Sequence, residues 1–206
     1  MAFDHPPGWL SCFCTLKKVT WRGSDRFTGK RKKMLPSLTF VLGGAASGKS
    51  VLAERFILNS SLTPIYVATS QVWDDEMSRK VALHQDRRGP EWQTIEAATD
   101  LGPACRGAPD GSAILVDCAT MWLTNVMLGE HDLDVAQSAL LDDLAAAPVP
   151  VVVVSNEVGL GIVPDNALAR RFREAQGRLN IALAAQADCV VHVVAGLPHV
   201  LRGTLP

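Results

Sequence analysis

Apolar and polar positions along this chain fall into two alternating patterns. Five short runs are almost continuously apolar: "LTFVL" at 38–42, "IYVA" at 65–68, "AILVD" at 113–117, "VVVVS" at 151–155 and "CVVHVV" at 189–194. Runs this short, rich in β-branched residues and without a polar face, predict strands buried on both sides. Between them apolar residues recur at helical spacing. Helices are predicted after Gly48, from about Asp75 to Arg88, around Thr120 to Leu128, from about Asp134 to Ala146, and from about Asn166 to Gln186. The weaker run "QTIEA" at 93–97 suits an edge element. Strands that alternate with helices predict an α/β fold, a mainly parallel central sheet flanked by helices, with ligands gathering at the carboxyl ends of the strands.

The first strand and the first helix enclose "GGAASGKS", Gly43 to Ser50. Gly43, four residues, then Gly48, Lys49 and Ser50 make the G-x-x-x-x-G-K-[ST] spacing of a phosphate-binding loop. Its glycines, with Gly44, Ala45, Ala46 and Ser47 between, let backbone N–H groups turn inward around phosphate oxygens. The helix that follows aims its N-terminus at the same oxygens. Lys49 would reach the β- and γ-phosphates, and the Ser50 hydroxyl would ligate Mg²⁺ carried by ATP or GTP. The expected fold is therefore the P-loop NTPase fold, RecA-like. Asp117 ends its strand where such enzymes place the carboxylate that supports Mg²⁺, although a residue there also suits a helix N-cap.

Length and composition narrow the class. A chain of 206 residues has room for one well-formed core. A net charge of −1 and 6% aromatic residues give no sign of a nucleic-acid surface. The five cysteines are odd in number and scattered, which fits a reducing compartment, and Cys12 with Cys14 lacks the partners of a zinc site. No run approaches membrane-spanning length and the N-terminus lacks a signal-peptide layout, so the expected location is cytoplasmic with no integral membrane segment. Residues 1–36 show no period and carry the basic cluster "GKRKK". They read as a disordered extension, or as a prefix ahead of a true start at Met34, with 37–206 as a single nucleotide-binding catalytic domain.

A second chemistry is suggested around His84. If 75–88 is helical, Arg87 and Arg88 lie three and four positions beyond it on one face. Neighbouring cations favour a neutral imidazole with a free lone pair, which suits attack on phosphorus whose oxygens the arginines hold. A surface or capping histidine is the other reading of the same residues.

"GGAASGKS", "YVATSQVWDDEM", "HQDRRGPEWQTIE", "ILVDCATMWLTN" and "VSNEVGLGIVPDNALARRFREAQGRLN" together resemble the bifunctional adenosylcobinamide kinase and adenosylcobinamide-phosphate guanylyltransferase family of cobalamin biosynthesis. The resemblance runs from about Leu38 to the C-terminus and leaves the prefix unmatched. It implies phosphorylation of adenosylcobinamide by ATP or GTP, then transfer of GMP from GTP to adenosylcobinamide phosphate through a covalent GMP-histidine, with release of pyrophosphate. His84 matches the histidine and Arg88 the arginine of the family's H-x-x-x-R segment. Ala68, Thr69 and Ser70 would line the nucleotide site, Gln85, Asp86, Arg87 and Arg88 would continue it, and Glu96 and Asp117 would add carboxylates. A carboxylate at Glu96 suits guanine, whose N1–H and amine it accepts together. The resemblance also implies a homotrimer. One position departs: Ala46 stands where relatives commonly have arginine, which removes a cation near the phosphates and puts the rate of phosphoryl transfer in question. Two other readings are a P-loop kinase of another small alcohol and a nucleotide-binding regulatory protein.

Overall fold

The computed structural model describes residues 34–70 and 89–206. The helix expected over Asp75 to Arg88, with His84, Gln85, Asp86, Arg87 and Arg88, lies outside the described residues. In chain order the elements are β1 (Leu38–Gly43), α1 (Lys49–Ser60), β2 (Thr63–Ala68), β3 (Gln93–Glu96), α2 (Gly102–Arg106) and β4 (Ser112–Asp117). They continue with α3 (Ala119–Leu128), α4 (Leu133–Ala145), β5 (Val151–Asn156), α5 (Ala167–Gln186), β6 (Cys189–Val194) and β7 (Leu197–Arg202).

The strands form one seven-stranded sheet in the order β3-β2-β4-β5-β1-β6-β7. All neighbours are parallel except β6 and β7. The continuous apolar runs have the expected cause: successive side chains point to opposite faces and both faces are covered. Phe40, Ile114, Val116, Val151 and Val153 pack toward Trp122, Leu140, Leu144, Leu179 and Leu183 of α3, α4 and α5. Val41, Leu115, Val152, Val154 and Val191 pack the other way, against Ala53, Phe56 and Ile57 of α1. Leu35, inside the expected prefix, is 7% exposed and joins this second cluster.

Two elements escaped the sequence pattern. The short α2 has Pro103 in its first turn, where a missing N–H does no harm. The antiparallel β7 contains Pro198, which an edge strand tolerates. Its hairpin with β6 turns at Ala195 and Gly196, both at positive φ, as a two-residue primed turn requires.

Helix starts follow capping chemistry. Asp132 accepts hydrogen bonds from the N–H groups of Asp134 and Val135, and Asn166 accepts one from Ala169 at 2.7 Å. Among the described residues no helix is long and apolar enough to cross a membrane.

Candidate active site

The strand order puts β1, which feeds the phosphate loop, near the middle of the sheet, with β5 between it and β4. The loop is held open by backbone conformations that suit its small residues. Gly48 takes φ 92° as it enters α1, and Ala46 also lies in the left-handed region at φ 54°. A Cβ on Gly43 would stand 2.5 Å from Ser47 Oγ and 2.7 Å from the Val193 carbonyl, so only glycine admits the close approach of these two groups.

Lys49 is 9% exposed and its Nζ donates to the Gly44 carbonyl at 3.1 Å, folding the ammonium over the loop. Burial holds its pKa below the ordinary lysine range, while the charge of Asp117 acts in the opposite direction. The α1 N-terminus has no side-chain cap and no acid in its first turn. Ser47 Oγ is buried with no hydrogen-bond partner among the described residues. Uncapped N–H donors at the helix start, a buried cation and an unpartnered buried hydroxyl fit a polyphosphate.

Register places the other expected residues along the same edge. Ala68 pairs with Asp117 on one side and with Glu96 on the other, so Glu96, Ala68 and Asp117 form one row across β3, β2 and β4. Glu96 is exposed. It stands four strand positions from β1, about 19 Å of sheet at the usual interstrand spacing. The N-cap of α3 is Cys118, not Asp117, which leaves the Asp117 carboxylate free of capping duty. Thr69 is fully buried; its hydroxyl donates to the Cys118 carbonyl at 2.8 Å and accepts from the Cys118 N–H at 2.7 Å. That side chain is committed to joining the ends of β2 and β4. Ser70 is half-buried next to it.

Asn125 of α3 supports this edge from behind: its Nδ2 donates to the carbonyls of Thr69 at 2.7 Å and Ala98 at 2.9 Å. Asn125→Ala leaves both without that donor. It is expected to cost about 1–3 kcal/mol, read as a fall in Tm of roughly 3–10 °C for a domain of this size. Cys118 is a second check on the packing here. Burial, reinforced by the Asp117 charge, pushes its thiol up to about 11. On the order of one thiol in a thousand is then thiolate at pH 8. Peptide mapping after iodoacetamide treatment of the native protein should find Cys118 unmodified, and unfolding should expose it.

Two further groups of residues shape this edge. The β6–β7 turn closes over the phosphate loop: Gly196 N donates to the Ser47 carbonyl at 2.8 Å, and a Cβ on Gly48 would stand 3.2 Å from Gly196 Cα. The dipeptide Ala195-Gly196 between apolar residues was its visible signal. The other is a buried polar cluster. Ser155 Oγ donates to Asn180 Oδ1 at 2.7 Å, and Gln176 Nε2 donates to Ser155 Oγ at 3.0 Å and to Asn180 Oδ1 at 2.9 Å. The Thr120 hydroxyl accepts from Asn156 N at 2.8 Å. These bonds clamp the end of β5 between α3 and α5, beside the phosphate loop.

Comparison with known proteins gives this geometry a family. The family model for cobinamide kinase / cobinamide phosphate guanyltransferase matches residues 39–201. The chain is 45% identical over 166 residues to the bifunctional adenosylcobalamin biosynthesis protein CobP of Pseudomonas aeruginosa, covering 79% of this chain and 96% of that protein. It is 43% identical over 177 residues to the bifunctional adenosylcobalamin biosynthesis protein CobU of Salmonella typhimurium, covering 78% of this chain and 97% of that one. Among solved structures, a prototypical ATPase from the type III secretion system of pathogenic bacteria aligns with a TM-score of 0.51 at 14% identity, over 82% of this chain and 59% of that chain. That likeness concerns the fold alone, and agrees with the expected P-loop NTPase architecture. The chain belongs to the cobinamide kinase / cobinamide phosphate guanyltransferase family.

Proposed function

We propose that this chain works as its family does: it phosphorylates adenosylcobinamide with ATP or GTP, then attaches GMP from GTP to give adenosylcobinamide-GDP and pyrophosphate. The carrying observation is the phosphate cradle at Gly43–Ser50, with Lys49 folded over it and Asp117 near enough for its charge to act on that ammonium. The family match over residues 39–201 supplies the acceptor.

In the kinase step the loop N–H groups and Lys49 hold the terminal phosphates while an acceptor hydroxyl approaches in line. Ser50 and Asp117 would hold Mg²⁺; a hydroxyl and a carboxylate are the hard oxygen donors it takes, alongside phosphate oxygens and water. Held there, the ion would supply positive charge against the negative charge of the transferred phosphoryl group. The absence of a cation at Ala46 leaves Lys49 and the backbone as the described loop's positive groups.

In the transfer step a ring nitrogen of His84 attacks the α-phosphorus of GTP. An N–P bond forms as the bond to the β-phosphate oxygen breaks, and pyrophosphate leaves. An oxygen of adenosylcobinamide phosphate then attacks the same phosphorus and frees the imidazole. Arg87, Arg88, Gln85 and Asp86 would hold the nucleotide around it, with Ala68, Thr69 and Ser70 along the strand edge. Glu96 at the far end of that row would read guanine. We assign both steps to one catalytic domain and place its start at Leu35, because that side chain is buried in the core. A homotrimer belongs to the same proposal, since an acceptor much larger than a nucleotide is easily housed between subunits.

The test is direct. Purified protein given adenosylcobinamide and ATP should form adenosylcobinamide phosphate, and adding GTP should yield adenosylcobinamide-GDP with pyrophosphate, followed by mass spectrometry. With α-labelled GTP alone the protein should acquire acid-labile, base-stable label. A kinase of another alcohol or a regulatory protein would acquire none.

A further inference from the structure

The connection between β5 and α5 displays Leu160, Ile162 and Val163 at 85%, 97% and 66% exposure. This stretch is tied down on either side of them. Glu157 N donates to the Gly43 carbonyl at 3.0 Å, and Glu157 Oε1 accepts from Gly159 N at 2.6 Å. From α5, Arg173 donates to the Gly159 carbonyl, and Arg170 donates to the carbonyls of Pro164 at 3.0 Å and Asp165 at 2.6 Å. The backbone is thus held on both flanks of three large apolar side chains that face water, an arrangement that marks a binding surface. Asn166 at its end also borders an apolar cavity of about 350 Å³ lined by Met127, Leu128, Leu168 and Phe172.

Position says what covers it. Asn156 pairs in register with Gly43, the first residue of the phosphate loop, so the apolar stretch begins where the phosphate cradle begins. A hydroxyl attacking the terminal phosphate must sit at that cradle, and the rest of its molecule must lie beyond it. Gly43–Ser50 offers small residues that cannot grip a large acceptor; the adjoining stretch can. We propose that Leu160, Ile162 and Val163 form the seat for the apolar, methyl-bearing face of the corrinoid acceptor. This assignment rests on the kinase reading above and adds where its large substrate lies.

The experiment uses the full chain and the triple variant Leu160→Ser, Ile162→Ser, Val163→Ser, with adenosylcobinamide and ATP varied in turn. KM for adenosylcobinamide should rise at least about tenfold, while KM for ATP stays within about twofold because the cradle is untouched. Sedimentation velocity should show the same assembly as the unaltered protein. An unchanged KM for adenosylcobinamide overturns the assignment, as does a change of assembly, which would make this surface a contact between copies of the chain. Failure of the unaltered protein to phosphorylate adenosylcobinamide removes the kinase reading and this one together. Normal turnover with an unaffected variant removes only the seat.

Discussion

Lys49→Ala should lower phosphorylation of adenosylcobinamide at least about a hundredfold, equivalent to about 2.7 kcal/mol of transition-state stabilisation. By the proposed kinase route the ammonium is the point charge for the β- and γ-oxygens as negative charge redistributes toward them, and no second side-chain cation is present in Gly43–Ser50. Folding should survive the change. Lys49 is nearly buried and its pKa is lowered chiefly by desolvation, so the native state holds this charge at a cost that alanine relieves. Tm should therefore stay level or rise slightly, which separates lost chemistry from lost structure. The same shift fixes a pH effect. The charged form is needed and its pKa is depressed, so kcat/KM for ATP in the unaltered enzyme should begin to fall on the alkaline side before the ordinary lysine range is reached. Near-normal turnover by the alanine variant would remove the loop from the kinase mechanism, whereas a cooperative loss of structure would show that Lys49 is a folding residue.

His84→Ala is expected to part the two reactions completely. Guanylyl transfer by the proposed route needs a nucleophile that attacks phosphorus and later leaves, and imidazole does both because its charge changes near neutral pH. Phosphoryl transfer to the acceptor hydroxyl passes between bound substrates without such a group. The variant should accumulate adenosylcobinamide phosphate, form no adenosylcobinamide-GDP, and show no protein-bound GMP by intact mass after GTP treatment. Normal adenosylcobinamide-GDP formation would place the nucleophile elsewhere. Loss of both activities with weakened nucleotide binding would mean that His84 shapes the nucleotide site rather than attacking phosphorus. Nucleotide affinity measured beside turnover distinguishes these outcomes.

Sequence legibility followed the range of the interaction. The phosphate loop is readable because its requirements are local: glycine at positive φ, a lysine one residue later, a helix immediately after. The five main strands were legible because burial on both faces removes polar residues from a short run altogether, as in Val151 to Val154. The helix starts Asp132 and Asn166 were bracketed within two residues, since capping is set by the residue and its next three neighbours. The edge strand β7 was not seen, because alternating exposure and a proline resemble loop sequence until a partner strand supplies the ladder. Asp117 stood between two roles on sequence, and the choice of Cys118 as N-cap separated them.

By itself, then, the sequence determined the α/β class, the phosphate loop and the family, because each is carried by contiguous residues whose conformations and chemistry are set by near neighbours. Tertiary structure alone decided how distant strand ends share an edge. Hydrogen-bond register brings Glu96, Ala68 and Asp117 into one row, and sheet order sets β5 between the strand that ends at Asp117 and the strand that leads into the phosphate loop. It also decided that Gln176 and Asn180, polar positions on an otherwise apolar helical face, find Ser155 more than twenty residues away. Such pairings depend on closing long loops and on burying polar groups only where partners arrive from other elements, and no local pattern encodes which partners those will be.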